Sequence, residues 1–150
     1  MRLLIQRVKQ ASVSIHGEQG SSINKGLLLF VGIEHSDSEE DIKWLVNKVL
    51  GLRIFDDDHG VMNLSVLDIE GEILAVSQFT LHARIKKGFR PSYVDAAAPA
   101  VSIPLYENFV SALENSFGKQ VKTGVFGAEM MVSLINDGPV TIFIDSKNKK

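Results

Sequence analysis

From Gly26 to Ile33 the chain passes through eight residues without one polar side chain. A strand with one wet face alternates apolar and polar residues. An unbroken apolar run predicts a strand buried on both faces. Two amphipathic segments follow. Ile42, Leu45, Val46 and Val49 keep the i, i+3, i+4, i+7 spacing of one helix face. Ser36 with Glu39, or Ser38 with Asp41, can form a capping-box start, and the acids of 36–41 sit where the helix dipole favours them. Gly51 is a plausible stop. The second helix is predicted over 99–117, where Leu105, Phe109, Leu113 and Phe117 share a face. Pro99 and Pro104 suit its opening turns, and Gly118 its end.

The other elements read as strands. Residues 2–16 end in alternation, Val13 and Ile15 against Ser12, Ser14 and His16, and Gly17-Glu18-Gln19-Gly20 is turn chemistry. Asp56 to Gly60 is a loop. Short strands are predicted near 61–68 and 72–81 with a turn at Glu70-Gly71, an irregular basic stretch over 82–98, and strands near 121–126 and 129–145. The order β-β-α-β-β-β-α-β-β is no regular βαβ series. It predicts an α+β fold, a mixed and mainly antiparallel sheet with two helices. The 150 residues suit one domain, 1–150, with no repeat or linker.

Composition removes several classes of chemistry. There is no cysteine, hence no disulfide framework, thiol nucleophile or cysteine-held zinc. His16, His35, His59 and His82 are scattered, and Asp56-Asp57-Asp58 lacks the spacing of a calcium loop, so no metal is expected. Glycine-rich phosphate loops are absent, and no cofactor is expected. The apolar start is too short for a signal peptide, and no run approaches the roughly 18 apolar residues of a membrane span, which predicts a cytoplasmic protein without a membrane partner. A net charge of −2 argues against a generic nucleic-acid coat. The charge is uneven, however. Acids crowd 34–41 and 56–58. Bases crowd 84–90 (Arg84, Lys86, Lys87, Arg90) and the tail (Lys147, Lys149, Lys150).

Two polar interruptions stand where apolar strands should continue or turn. After Ile73-Leu74-Ala75-Val76 comes Ser77-Gln78-Phe79-Thr80-Leu81, and after 130–135 comes Asn136-Asp137-Gly138-Pro139-Val140-Thr141. Polar groups at the mouth of a buried strand cost free energy unless paired, and two such sets suggest one site. The first is either a strand end bonding to backbone or a pocket. In a pocket Thr80 is a nucleophile or positioning hydroxyl, Gln78 orients a carbonyl or amine, and the N–H groups of Phe79 and Thr80 form an oxyanion hole. Thr80 and His82 share a strand face at i and i+2, but nothing marks the third group that would orient a base. The second set is either an Asp-Gly hairpin turn or a fixed Gly-Pro unit. Such a unit can aim two carbonyl oxygens into a cavity and reject any group bulkier than hydrogen. Phe126 and Met130 are core residues or stack on a base. The basic run after the first motif is a solvated loop or a phosphate contact.

At this point the residues carry a resemblance. Ile5-Gln6-Arg7-Val8, Arg53-Ile54-Phe55, Met62-Asn63-Leu64, Ser77-Gln78-Phe79-Thr80-Leu81, Lys87-Gly88-Phe89-Arg90-Pro91-Ser92, Gly124-Val125-Phe126 and Asn136-Asp137-Gly138-Pro139-Val140-Thr141 together resemble the bacterial and eukaryotic D-aminoacyl-tRNA deacylases over nearly the whole chain. The related family that edits alanine-mischarged tRNA typically opens its first motif with Pro-Gln, whereas Ser77-Gln78 stands here. His82-Ala83-Arg84-Ile85 departs from the more acidic stretch often found in the family. The resemblance implies a barrel-like sheet with two outer helices and a homodimer. It implies hydrolysis of the ester between a D-amino acid and the terminal adenosine of tRNA, and of glycyl-tRNA as well. Ser77, Gln78, Phe79 and Thr80 would form the pocket, with Phe126 and Met130 against the adenine. Gly138-Pro139, in a cis peptide, would enter the partner subunit's site and reject L-amino acids, and Arg7 would hold it. Lys86, Lys87 and Arg90 would meet tRNA, with no DNA expected as partner. The tRNA's own 2′-hydroxyl would assist the attack, with Thr80 as nucleophile the rival mechanism. The competing classes are a dimeric nucleic-acid-binding module without catalysis and a hydrolase of free D-aminoacyl esters.

Overall fold

The computed structural model describes residues 1–149; Lys150 of the basic tail lies outside them. In chain order the elements are β1 (Arg2–Ile15), β2 (Glu18–Ile23), β3 (Gly26–Gly32), α1 (Glu39–Gly51), β4 (Phe55–Asp56), β5 (Met62–Leu64), β6 (Glu72–Ser77), a 3-10 turn (Phe79–His82), α2 (Pro99–Phe117), β7 (Lys122–Thr123) and β8 (Met130–Asp145).

The apolar run forms β3, and both its faces are covered. Leu27, Leu29 and Val31 belong to the core under the helices, with Ile42, Leu45 and Val49 of α1 and Phe109 and Leu113 of α2. Leu28 points the other way, into a second core with Val8, Val13, Leu74 and Val76. Strand β6 alternates in step: Ile73 and Ala75 face the helices, Leu74 and Val76 the inner core. The period of two along a strand produces this division.

The sheet runs β2-β1-β3-β6-β7, with β8 also on β1. β1 is antiparallel to β2, β3 and β8. The β3–β6 and β6–β7 pairs are parallel, as crossover connections holding α1 and α2 require. β2 returns against β6 and β7, and the Ser21 hydroxyl donates to the Thr123 carbonyl at 2.7 Å. The sheet is thereby a nearly closed mixed barrel with two helices, the α+β architecture expected. Helix α1 opens on Ser38, whose N–H donates to the Asp41 carboxylate at 2.8 Å. Burial alone would raise the Asp41 pKa. Bonds from Lys147, Ser146 and Ser38 outweigh it and hold the carboxyl well below the usual range. Among the described residues no helix is long and apolar enough to cross a membrane.

Several boundaries differ from expectation. The turn expected over 17–20 shrinks to His16-Gly17, where His16 takes φ +52° and Gly17 +79°. Glu18 onward is strand β2, an edge element too exposed to show apolar alternation. The strand near 61–68 is only Met62–Leu64, and that near 121–126 only Lys122–Thr123. The strand expected over 72–81 ends at Ser77, because the chain folds into the 3-10 turn over the end of β3. Asp137-Gly138 is no hairpin turn. β8 continues through it, and the excess residues bulge outward: two steps along β1, Gln6 to Val8, face five along β8, Thr141 to Asn136.

Candidate active site

A cleft of about 270 Å³ opens at the carboxyl ends of the parallel strands β3 and β6, the end where parallel strands commonly offer a ligand site. Ser77, Gln78 and Phe79 form one wall, Phe126 and Met130 another, and Ala97 just ahead of α2 and Ser102 within it close the side. Five residues singled out by sequence therefore meet in one cavity. Phe126 rests on Tyr106, ring centroids 5.6 Å apart. The Tyr106 hydroxyl donates to the Ala75 carbonyl at 2.9 Å, and burial pushes this phenol up to about 12. It stays a neutral donor and fixes the aromatic wall to β6.

The 3-10 turn is held at both ends. Gln78 N–H donates to Val31 carbonyl at 2.8 Å, and Arg2 Nη1 to Leu81 carbonyl at 2.9 Å. The first N–H groups of a helical turn have no partner within it. Those of Phe79 and Thr80 reach no carbonyl elsewhere among the described residues. Thr80 itself does not line the cleft. Its hydroxyl accepts a hydrogen bond from the Gln78 side-chain amide. The face shared by Thr80 and His82 disappears with the strand that would have supplied it. His82 is buried, its two ring nitrogens have no hydrogen-bond partner among the described residues, and Nδ1 lies 3.7 Å from the Glu34 carboxylate. No Thr80–His82 dyad forms.

The second motif gathers elsewhere. Gly138-Pro139 is a cis peptide, exposed at the crest of the β8 bulge. Arg7 is 5% exposed and grips the base of this bulge. Its Nε donates to the Asp137 carbonyl at 2.8 Å and its Nη1 to the Ile54 carbonyl at 2.6 Å. Asn136 staples the bulge across its neck: its amide nitrogen donates to the Val140 carbonyl at 2.9 Å, and its oxygen accepts from Val140 N–H at 3.1 Å. Val132 of the cleft pairs with Val13, whereas Asn136 pairs with Val8. Five residues of strand, roughly 16 Å, separate the two levels. Gly138, Pro139 and Arg7 do not line this cleft. Lys86, Lys87 and Arg90 are exposed on the loop after the 3-10 turn.

Sequence reasoning missed Tyr93 and Tyr106. Tyr93 meets Phe79 edge-on, centroids 5.0 Å apart. Neither tyrosine carries a local signal beyond its type, since each acts through a residue distant in sequence.

The D-Tyr-tRNA(Tyr) deacylase family model matches residues 4–145. The D-aminoacyl-tRNA deacylase of Flavobacterium psychrophilum is 63% identical over 150 residues, covering 100% of both chains. That of Bacteroides fragilis strain YCH46 is 61% identical over the same span. Among solved structures, the c-Myc DNA unwinding element binding protein superposes with a TM-score of 0.92 at 39% identity, covering 97% of this chain and 98% of that one. A probable eukaryotic D-amino acid tRNA deacylase shares the fold, with a TM-score of 0.83 at 17% identity over 95% and 97%. With its signature residues gathered in one cleft and one bulge, and with relatives of this identity over full length, the chain belongs to the D-Tyr-tRNA(Tyr) deacylase family.

Proposed function

We propose that this chain hydrolyses the ester of D-aminoacyl-tRNA, releasing free D-amino acid and tRNA in the cytoplasm. The observation that carries this is the cleft in which Ser77, Gln78 and Phe79 face Phe126 and Met130. A flat apolar wall suits adenine, and the opposite wall presents polar groups to the ester beyond it. The N–H groups of Phe79 and Thr80 receive the charge that develops on the carbonyl oxygen as water attacks. The terminal ribose 2′-hydroxyl assists that attack. Thr80 as covalent nucleophile ranks lower, because its hydroxyl accepts a hydrogen bond from the Gln78 amide and the nearby His82 ring nitrogens make no hydrogen bond among the described residues.

Chirality is selected by exclusion. In a homodimer, Gly138 and Pro139 of one subunit present their carbonyls to the substrate's α-amino group in the other subunit's cleft, leaving no room for an L side chain. The rigid seat made by Arg7 and Asn136 supports this role. Glycyl-tRNA lacks the rejected group and is hydrolysed too. Lys86, Lys87 and Arg90 contact tRNA phosphates. The whole sequence acts as one domain.

Incubation with D-tyrosyl-tRNA and L-tyrosyl-tRNA in parallel tests the reading. Loss of the D ester alone is expected. Stability of both would refute it and promote the second reading, a nucleic-acid-binding module. That alternative is favoured by one observation, the likeness to the c-Myc DNA unwinding element binding protein. Loss of both would keep the hydrolase and remove the chiral filter.

A further inference from the structure

The segment from Ala83 to Asp95 leaves the 3-10 turn, doubles back and returns to α2. Its base is closed twice. Arg84 N–H donates to Ser92 carbonyl at 2.8 Å and Ser92 N–H to Arg84 carbonyl at 3.0 Å, while the Arg84 guanidinium grips the Asp95 carboxylate through two nitrogens. That ion pair uses the one acid of the segment and one of its four bases. Lys86, Lys87 and Arg90 remain exposed and make no ion pair among the described residues. A chain of net charge −2 thus concentrates three uncompensated cations on one short hairpin.

Phe89 stands at the tip, 106% exposed, beside Gly88 at φ +69°. Ile85 and Val94 on the same hairpin are 74% and 67% exposed. A phenylalanine wholly in water contributes nothing to a core. Set among free cations, it has the makeup of a single-stranded nucleic-acid contact, a flat face for a base flanked by charge for phosphates. The root of the hairpin is joined to the cleft rim, because Tyr93 packs on Phe79. The five steps of chain from Arg84 to Phe89 reach at most about 17 Å. The nucleotides within range are those next to the cleft.

We propose that Phe89 stacks on an unpaired base just upstream of the terminal adenosine, with Lys86, Lys87 and Arg90 on the adjoining phosphates. This rests on the cleft being the seat of that adenosine. The test is fluorescence anisotropy with the full chain and a labelled four-nucleotide single-stranded RNA ending in adenosine and carrying no amino acid. Phe89→Ala is expected to weaken binding about tenfold without changing the slope of log Kd against log salt. Phe89→Trp restores affinity and Phe89→Leu does not, because a flat ring is required. Lys87→Ala flattens the salt slope by about 0.7. Equal affinity of wild type and Phe89→Ala, rescue by leucine, or no binding by wild type would each overturn the proposal. The probe has no ester, so the result is independent of catalysis. Phe89-dependent binding by a protein that leaves D-tyrosyl-tRNA intact would sink the deacylase reading and keep the stacking contact.

Discussion

Gly138 holds φ +140°, a conformation that side-chain-bearing residues rarely adopt. A Cβ there would stand 2.7 Å from Val140 Cγ2, 2.9 Å from Val140 N and 3.2 Å from Arg7 Nη2. The backbone nitrogen cannot swing aside as a flexible side chain would. Gly138→Ala is therefore expected to displace the crest of the bulge and to cost about 1–3 kcal/mol in urea unfolding. On the proposed function it leaves the variant nearly inactive on D-tyrosyl-tRNA. Unchanged rates with both esters would remove Gly138 from the filter. The sequence marks this glycine through the unusual Asp-Gly-Pro that interrupts an apolar strand. What holds it was less legible. Arg7 was reached only through the family pattern, because the bond from its Nε to the Asp137 carbonyl spans 130 positions. No local propensity encodes such a contact.

The 3-10 turn at Phe79–His82 is the element on which sequence and structure part most clearly. Phe79, Thr80 and Leu81 are good strand residues directly after a strand. Gly32 allows the different outcome. It ends β3 beneath the turn, and a Cβ on it would lie 3.0 Å from Leu81 Cβ, 3.1 Å from the Gln78 carbonyl oxygen and 3.1 Å from His82 Cδ2. Without that carbon the chain after Ser77 folds down and leaves the Phe79 and Thr80 N–H groups without backbone partners. Gly32→Ala should push the turn away, cost about 1–3 kcal/mol and lower kcat/KM on D-tyrosyl-tRNA by more than the stability loss explains. Gly51→Ala is the control, since a Cβ there meets no described residue within 4 Å beyond its chain neighbours and its own helix backbone. Equal kcat/KM for the two variants would show that the turn's position does not set the chemistry. The helices were legible because burial of one face imposes a period on them, and β3 because burial of both faces leaves an unbroken apolar run. β2 and the turn were not. β2 is an exposed edge, and the turn is fixed by a glycine 46 to 50 positions earlier together with Arg2.

The whole chain presents its two motifs roughly 16 Å apart along the sheet, and one copy cannot close its own bulge onto its own cleft without unpairing β8 from β1. A second copy can supply the missing carbonyls. β8 leaves its outer edge unpaired among the described residues and exposes Met131, Ile135 and Phe143 along it, the kind of surface two copies can bury against each other. The proposed homodimer makes a prediction that no single-chain site shares. Gly138→Ala and Gln78→Ala are each prepared alone, and each is expected to be nearly inactive on D-tyrosyl-tRNA. Unfolded together in equal amounts and refolded, they form mixed dimers in which one cleft joins a native Gln78 to a native Gly138 from the neighbour, while the other cleft carries both defects. With random pairing, about a quarter of the clefts are whole, and activity should rise to about that share of wild type. If each site draws both motifs from one chain, no cleft in the mixture is whole, and the refolded sample stays at the average of its two parents.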